Sequence, residues 1–267
     1  QVNEVNAAPS VSLSDGKQPD EGPIQVNEGT PLTVTVFASD PDLPADSLTF
    51  SLGDAAPAGA AIDAATGVLT WTPSETDGPG TYPIIVLVSD GELETVATLT
   101  IQVNEVNGAP VLAPIGGQTV DEGTLLSFTV GASDLDFPAN ALTYDATGLP
   151  AGAGFDPANR TFSWTPGEPQ GPTTYDVTFS VSDGELTDSE TITITVHEVN
   201  AAPVLAPVGD HTVDEQQLLT FTATATDADL PANGLTFSLD GAPSGAEIDP
   251  LTGLFAWTPA EAQGPQA

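Results

Sequence analysis

Tyr175-Asp176-Val177-Thr178-Phe179-Ser180-Val181 places an aromatic or aliphatic residue at every second position and a polar one between. In an extended chain, successive side chains point to opposite faces, so this stretch reads as a strand with one buried and one wet face. Thr191-Ile192-Thr193-Ile194-Thr195-Val196 does the same. Such strands suit antiparallel sheets packed face to face. Helical spacing is absent, and 25 prolines and 26 glycines break the pattern at short intervals, as turns between strands require. The expected fold is all-β: a Greek-key, Ig-like β-sandwich of roughly seven strands, built without an antibody-type cysteine pair.

The pattern is repeated. Trp71, Trp164 and Trp257 recur at intervals of 93, and Glu28, Glu122 and Glu215 at 94 and 93. Each period is domain-sized, which makes the chain a tandem array. The phrase Val103-Asn104-Glu105-Val106-Asn107-Gly108-Ala109-Pro110 closes one repeat and opens the next; it is echoed at Val2 to Pro9 and, with His197 in place of asparagine, at Val196 to Pro203. The repeats are therefore set at 9–107, 108–200 and 201–267, with 1–8 as the tail of a preceding repeat and its linker. The first carries an extra segment around Ser14-Asp15-Gly16-Lys17, read as a surface turn. The third stops after Trp257-Thr258-Pro259 and lacks a counterpart of Tyr175 to Val196, so it is expected to be incomplete. Either the chain is a window cut from a longer array, or another chain supplies the strands by β-augmentation. With no methionine, the chain is expected to be an excerpt whose targeting signals lie elsewhere.

Composition limits the partners. There are 38 acidic residues against Lys17 and Arg160, a formal net charge of −36. Such a chain repels phosphate backbones and anionic lipid, which excludes nucleic acid as a partner, and it attracts cations. Hydrophobic residues make up 39% of the chain and fall in periodic strands, which argues for folded domains over disorder. Cysteine is absent, so stability has to come from core burial or from metal. No apolar run approaches the length of a membrane span, so direct membrane insertion is not expected.

Three loops carry the same oxygen-rich signature. Ser39-Asp40-Pro41-Asp42-Leu43-Pro44-Ala45-Asp46 matches Ser133-Asp134-Leu135-Asp136-Phe137-Pro138-Ala139-Asn140 and Thr226-Asp227-Ala228-Asp229-Leu230-Pro231-Ala232-Asn233. Counting from the first aspartate, positions one, three and seven bear side-chain oxygens each time. Hard cations such as calcium take six to eight oxygen ligands. Asp and Asn are also ordinary turn formers, and that reading stands beside the first.

Taken with Asn27-Glu28-Gly29, Asp121-Glu122-Gly123, Ile62-Asp63-Ala64-Ala65-Thr66-Gly67, Ser89-Asp90-Gly91-Glu92 and Ser182-Asp183-Gly184-Glu185, the pattern resembles bacterial and dystroglycan-type cadherin-like Ig repeats over all three periods. The resemblance implies Ca2+ held at each junction between repeats. It implies Glu28, Asn104, Glu105, Asn107, Asp134, Asp136, Asn140 and Asp183 at the first full junction, and Glu122, Glu198, Asn200, Asp227, Asp229 and Asn233 at the second. The same positions at the start of the chain are Asn3, Glu4, Asn6, Asp40, Asp42, Asp46 and Asp90. The chain departs from the family in lacking its D-R-E box, for which Glu75, Asp77 and Glu168 are poor substitutes, and its linker is one residue shorter. One or two ions per junction are expected.

Leu69/Trp71, Phe162/Trp164 and Phe255/Trp257 alternate on one strand face and read as core pairs rather than sugar-stacking platforms. Ile85 and Leu87 fall on the outer face of their strand, where the second repeat has Thr178 and Ser180. Two histidines, no cysteine and one arginine leave few acid–base or nucleophilic sets, and carboxylates that recur in every repeat are unlike a catalytic pair; no enzyme is expected. The expected function is structural and adhesive: a calcium-rigidified stalk or adhesin array in a large bacterial extracellular or cell-surface protein. Its partners are neighbouring repeats, with copies of itself or a surface glycan as further classes. The alternatives are a filament subunit completed by strand exchange and a polysaccharide-binding accessory module.

Overall fold

The structure is a computed structural model that describes residues 5–13, 22–43 and 46–264. They fall into two compact units. Unit 1 comprises Gln1–Leu112, Ala132–Thr143 and Val181–Asp188; unit 2 comprises Ala113–Gly131, Tyr144–Ser180 and Ser189–Ala267. The proposed surface turn around Ser14 to Lys17 lies outside the described residues. No helix among them is long and apolar enough to cross a membrane.

Unit 1 contains a two-sheet sandwich. One sheet orders its strands Ile24–Asn27, Glu94–Asn104, Gly80–Ser89 and Thr49–Leu52. The first pair is parallel and the others antiparallel. The second sheet orders Ser10–Leu13, Leu32–Ser39, Val68–Trp71 and Ala61–Ile62. Period-two alternation decides what is buried. Ile84, Val86 and Val88 are fully buried and share one core with Val36, Leu69 and Leu99, while Ile85 and Leu87 between them lie half-exposed on the outer face. Removing such side chains from water is the main source of the sandwich's stability, about 1.5–3 kcal/mol for each fully buried aliphatic side chain. Unit 1 also pairs Val111–Leu112 with Ala132–Ser133.

Unit 2 repeats the plan. A four-stranded sheet with most of its residues in this unit orders Gln118–Asp121, Thr187–His197, Thr173–Ser182 and Thr143–Thr147, again opening with a parallel pair. A three-stranded sheet orders Leu126–Thr129, Thr161–Trp164 and Gly154–Asp156. Phe128, Phe162 and Phe179 cluster with ring centroids 5.1–5.8 Å apart. The third period contributes Leu219–Thr222, Leu254–Trp257 and Glu247–Ile248 in one sheet, and Val204–Leu205 paired with Ala225–Thr226. The reading of a nearly all-β, tandem Ig-like chain is correct.

Candidate cation site of the carboxylate loops

The site begins in the core. Trp71 is 2% exposed, and its indole N–H donates to the Ala58 carbonyl at 3.2 Å. Tyr82 packs against it edge-on, centroids 5.0 Å apart, and its hydroxyl donates to the Asp77 carbonyl at 3.0 Å. That bond anchors the short 3-10 turn Glu75–Asp77. The Asp77 carboxylate closes the turn by accepting the Ser74 N–H at 2.7 Å and the Ser74 hydroxyl at 2.6 Å. The hydroxyl bond holds the Asp77 carboxyl below its ordinary range. In unit 2, Trp164, Tyr175 and Gln170 hold the turn Glu168–Gln170 in the same way. The core thus positions Glu75 and Glu168.

Glu28 follows the strand that runs parallel to Ile101–Asn104. Its N–H donates to the Asn104 carbonyl at 3.1 Å, and its Oε1 accepts the Val106 N–H at 3.1 Å. The side chain is 7% exposed, and Oε2 is buried without a hydrogen-bond partner. Neither carboxylate oxygen of Glu105 has a partner. One oxygen each of Glu28, Glu75 and Glu105 lies within 4.8 Å of the others. Burial, then the neighbouring charges of Glu28, Glu75 and Asp136, push the Glu105 carboxyl above its ordinary range. The Gly78 backbone closes over the group, and a Cβ there would stand 2.2 Å from Glu28 Oε2.

A second group in unit 1 joins Asp134, Asp136 and Asp183, again with one oxygen each within 4.8 Å. The D-x-D loop folds on itself, Asp136 N–H donating to Asp134 Oδ1 at 3.0 Å. Both Asp136 oxygens accept the Gly108 N–H, at 3.0 and 3.1 Å. Asn107 ties linker to loops: its amide donates to Asp183 Oδ2 at 2.9 Å and its oxygen accepts from Asn140 at 2.8 Å. Asn140 also donates to Asp136 Oδ2 at 3.2 Å. Asp183 Oδ1 accepts the N–H groups of Leu186 and Glu185, which hold its carboxyl below the usual range. Asp134 Oδ2 is left buried and unpartnered.

Unit 2 reproduces the arrangement with other residues. Glu122, Glu168 and Glu198 bring one oxygen each within 4.8 Å. Glu122 Oε2 and both oxygens of Glu198 are buried without partners, and burial followed by the Glu122 and Glu168 charges raises the Glu198 carboxyl. Asp229, 1% exposed, accepts the Ala201 N–H with both oxygens. Its own N–H donates to Asp227, and Asn233 bridges Asp229 and Asn200. Near the start of the chain, Asn6 donates to Asp90, the Ala7 N–H to Asp42, and the Asp42 N–H to Asp40, whose Oδ2 is buried and unpartnered. Asp46 is exposed, and Asn3 and Glu4 lie outside the described residues.

These arrangements suit one kind of ligand. Among the described residues, eight buried carboxylate oxygens lack a hydrogen-bond partner, and a buried unpaired carboxylate is costly. Two carboxylates at such separations repel by about 3–4 kcal/mol at an effective dielectric of about 20. An all-oxygen donor set with unanswered negative charge fits a hard divalent cation such as calcium.

Two placements go beyond the sequence readings. Glu75 and Glu168, read from the sequence as poor substitutes for the family's acidic box, each lie within a carboxylate group, because the Trp–Tyr pair anchors their turns beside Glu28 and Glu122. The signal was present in the recurring Trp-Thr-Pro-x-Glu of Trp71 to Glu75, Trp164 to Glu168 and Trp257 to Glu261. Asn104 contributes its carbonyl to Glu28, but its side-chain amide turns to Asn27 at 3.3 Å.

The family model described as Putative Ig domain matches residues 16–104, 109–197 and 202–266. Chitinase A of Pseudoalteromonas piscicida is 34% identical over 137 residues, 50% of this chain and 16% of the chitinase. The serine-rich adhesin for platelets of Staphylococcus aureus is 34% identical over 111 residues, 41% of this chain and 5% of the adhesin. The match thus spans a small part of either relative. Among solved structures, protocadherin gamma C5 EC1-3 aligns over 90% of both chains at 14% identity with a TM-score of 0.47. Drosophila N-cadherin EC1-4 aligns over 99% of this chain and 70% of its own at 17% identity, TM-score 0.44.

Proposed function

The chain belongs to the Putative Ig domain family, and from that premise we propose that it is a non-catalytic, structural and adhesive segment of a longer extracellular surface protein, stiffened by calcium. The observation that carries this reading is the set of eight buried, unpartnered carboxylate oxygens among the described residues, six of which, on Glu28 and Glu105 and on Glu122 and Glu198, sit at equivalent places in the two units. The adhesive part is supported by the likeness to a small part of a serine-rich adhesin for platelets. The large aromatics Trp71 and Trp164 are enclosed in the core and are not presented as a sugar platform.

The residues divide the work. Glu28, Glu75 and Glu105 come from the first period, and Asp134, Asp136 and Asp183 from the loops of the second, all within unit 1. Asn107, Asn140 and the Gly108 N–H hold the loops in register, while the unpartnered oxygens repel one another. Calcium, when bound, supplies the positive charge that these oxygens lack and links carboxylates of successive periods. The partner in this reading is the neighbouring repeat.

The test is thermal unfolding in EGTA, then in millimolar calcium, with magnesium and matched ionic strength as controls. A ligand at about 100 times its dissociation constant adds about 2.7 kcal/mol to the native state. A calcium-specific rise in Tm is expected, and no rise beyond the magnesium control would defeat the reading.

A further inference from the structure

The chain contains two Asn-Gly steps, Asn107-Gly108 and Asn233-Gly234. This dipeptide is chemically distinctive because glycine has no side chain to hinder attack by its backbone nitrogen on the preceding side-chain amide. The two steps sit in very different surroundings.

At Asn107 the attacking atom is occupied. The Gly108 N–H donates to both oxygens of Asp136, at 3.0 and 3.1 Å. Attack requires that nitrogen to lose its proton, and an adjacent carboxylate opposes the resulting anion. The Asn107 side chain is also held by Asp183, Asn140 and the Gly108 carbonyl. At Asn233 the surroundings are open. Asn233 and Gly234 are both exposed and outside any strand, and nothing lies within 4 Å of where a Gly234 Cβ would be. The contacts of Asn233 hold only its side-chain nitrogen, through Asn200 Oδ1 and Asp229 Oδ2. The openness is a property of the loop, since Ser47 and Ala141, the counterparts of Gly234 in the earlier periods, are also exposed and outside strands.

We propose that Asn233 is a site of spontaneous deamidation and that Asn107, despite the same dipeptide, is protected by Asp136. In the reaction the Gly234 backbone nitrogen, having given its proton to water, bonds to Asn233 Cγ. The Cγ–Nδ2 bond breaks, ammonia leaves, and a cyclic succinimide forms. Water then opens the ring at either carbonyl, giving aspartate or isoaspartate; nothing is oxidised or reduced. Either product replaces a neutral amide beside Asp229 with a carboxylate. The fold already accepts that charge at the equivalent position, where the first period has Asp46. The loop of the third period would thereby gain negative charge with age, whether or not a cation binds there.

The experiment incubates the native chain in metal-free buffer at mildly alkaline pH and maps peptides by mass, with isoaspartate assayed separately. A parallel sample in urea gives the intrinsic reactivity of both steps. The expected result is conversion at Asn233 at least tenfold faster than at Asn107 in the native chain, with similar rates in urea. Gly234→Ala, which meets nothing within 4 Å, should suppress the first conversion, and Asp136→Asn should speed the second. Equal native rates at both steps, or an unchanged Asn233 in a chain whose urea sample converts, would overturn the proposal.

Discussion

Glu75 Oε1 accepts the backbone N–H of Phe137 at 3.0 Å, so a carboxylate beside the first period's tryptophan grips the acidic loop of the second. Glu168 makes the same bond to Leu230 in unit 2. Charge and hydrogen bond can be separated by Glu75→Gln, which keeps an oxygen for Phe137 and removes the charge beside Glu28 and Glu105. In EGTA the variant should match or exceed the parent in stability, since a repulsion is relieved. In calcium it should lose part of the Tm rise, because a tenfold weaker affinity removes about 1.4 kcal/mol of linkage. Differential scanning calorimetry in both buffers checks this, and an unchanged calcium increment would remove Glu75 from the site.

Gly78→Ala probes the same group without altering any charge. Gly78 has an ordinary extended backbone, φ −100°, so its demand for glycine is steric. The new Cβ would displace Glu28 Oε2, which lies 2.2 Å from that position. Overpacking of this kind costs about 1–3 kcal/mol, and the calcium increment should fall as Glu28 is pushed aside. Gly154→Ala, where nothing lies within 4 Å, is the control and should behave as the parent. Isothermal titration with calcium separates the two variants.

Asp134→Ala combined with Asp136→Ala removes two of the three carboxylates of the loop group. Both lie outside the sandwich core, so the circular dichroism of the β-sheets should be retained. The Gly108 N–H loses its acceptor, at a cost of about 1–3 kcal/mol. Calcium should then stabilise unit 1 less than before, and a retained full increment would place the cation elsewhere.

The sandwich was legible because period-two alternation, as in Tyr175 to Val181, is local. The D-x-D loops and Glu28 were legible because they recur at a fixed interval. Glu75 recurs as visibly, in Trp-Thr-Pro-x-Glu, but its membership of the group was not legible, because its place depends on Tyr82 packing against Trp71 and bonding the Asp77 carbonyl. The direction of the Asn104 amide was not legible for a related reason. The parallel register that sets Asn27 opposite Asn104 turns the amide away, and strand pairing is not written in either strand alone. The closure of Gly78 over Glu28 is likewise a tertiary contact that sequence spacing does not reveal.

Trp71→Phe should destabilise the first sandwich by about 2 kcal/mol, from a smaller ring in a filled core and an Ala58 carbonyl without its donor. Because Trp71 supports Tyr82, and Tyr82 the turn bearing Glu75, the calcium increment should shrink together with the stability. Urea unfolding followed by circular dichroism gives the first quantity, and its repetition in calcium the second. A stability loss with an intact calcium increment would show that the turn keeps its place without the tryptophan.

The turn aspartates give a pH signature separate from the carboxylate groups. Asp63 Oδ1 accepts the N–H groups of Ala65 and Thr66 and the Thr66 hydroxyl, at 2.8–3.0 Å. Asp156 and Asp249 occupy the equivalent turns. The bonds to Thr66, to Asn159 and to Thr252, respectively, are the largest causes holding these carboxyls below their ordinary range. A folded-state value below the unfolded one means that the native chain binds protons less readily than the unfolded chain. Their stabilisation is therefore complete above the unfolded value of about 3.9 and is lost as pH falls through the folded value. Replacing all three with asparagine removes the proton linkage while keeping a side-chain oxygen in each turn. The triple variant should show a shallower fall of Tm with acidification below about pH 4 in metal-free buffer, with little change in that slope near neutrality. An acid slope identical to the parent's would mean that these turns do not persist in the native chain in solution.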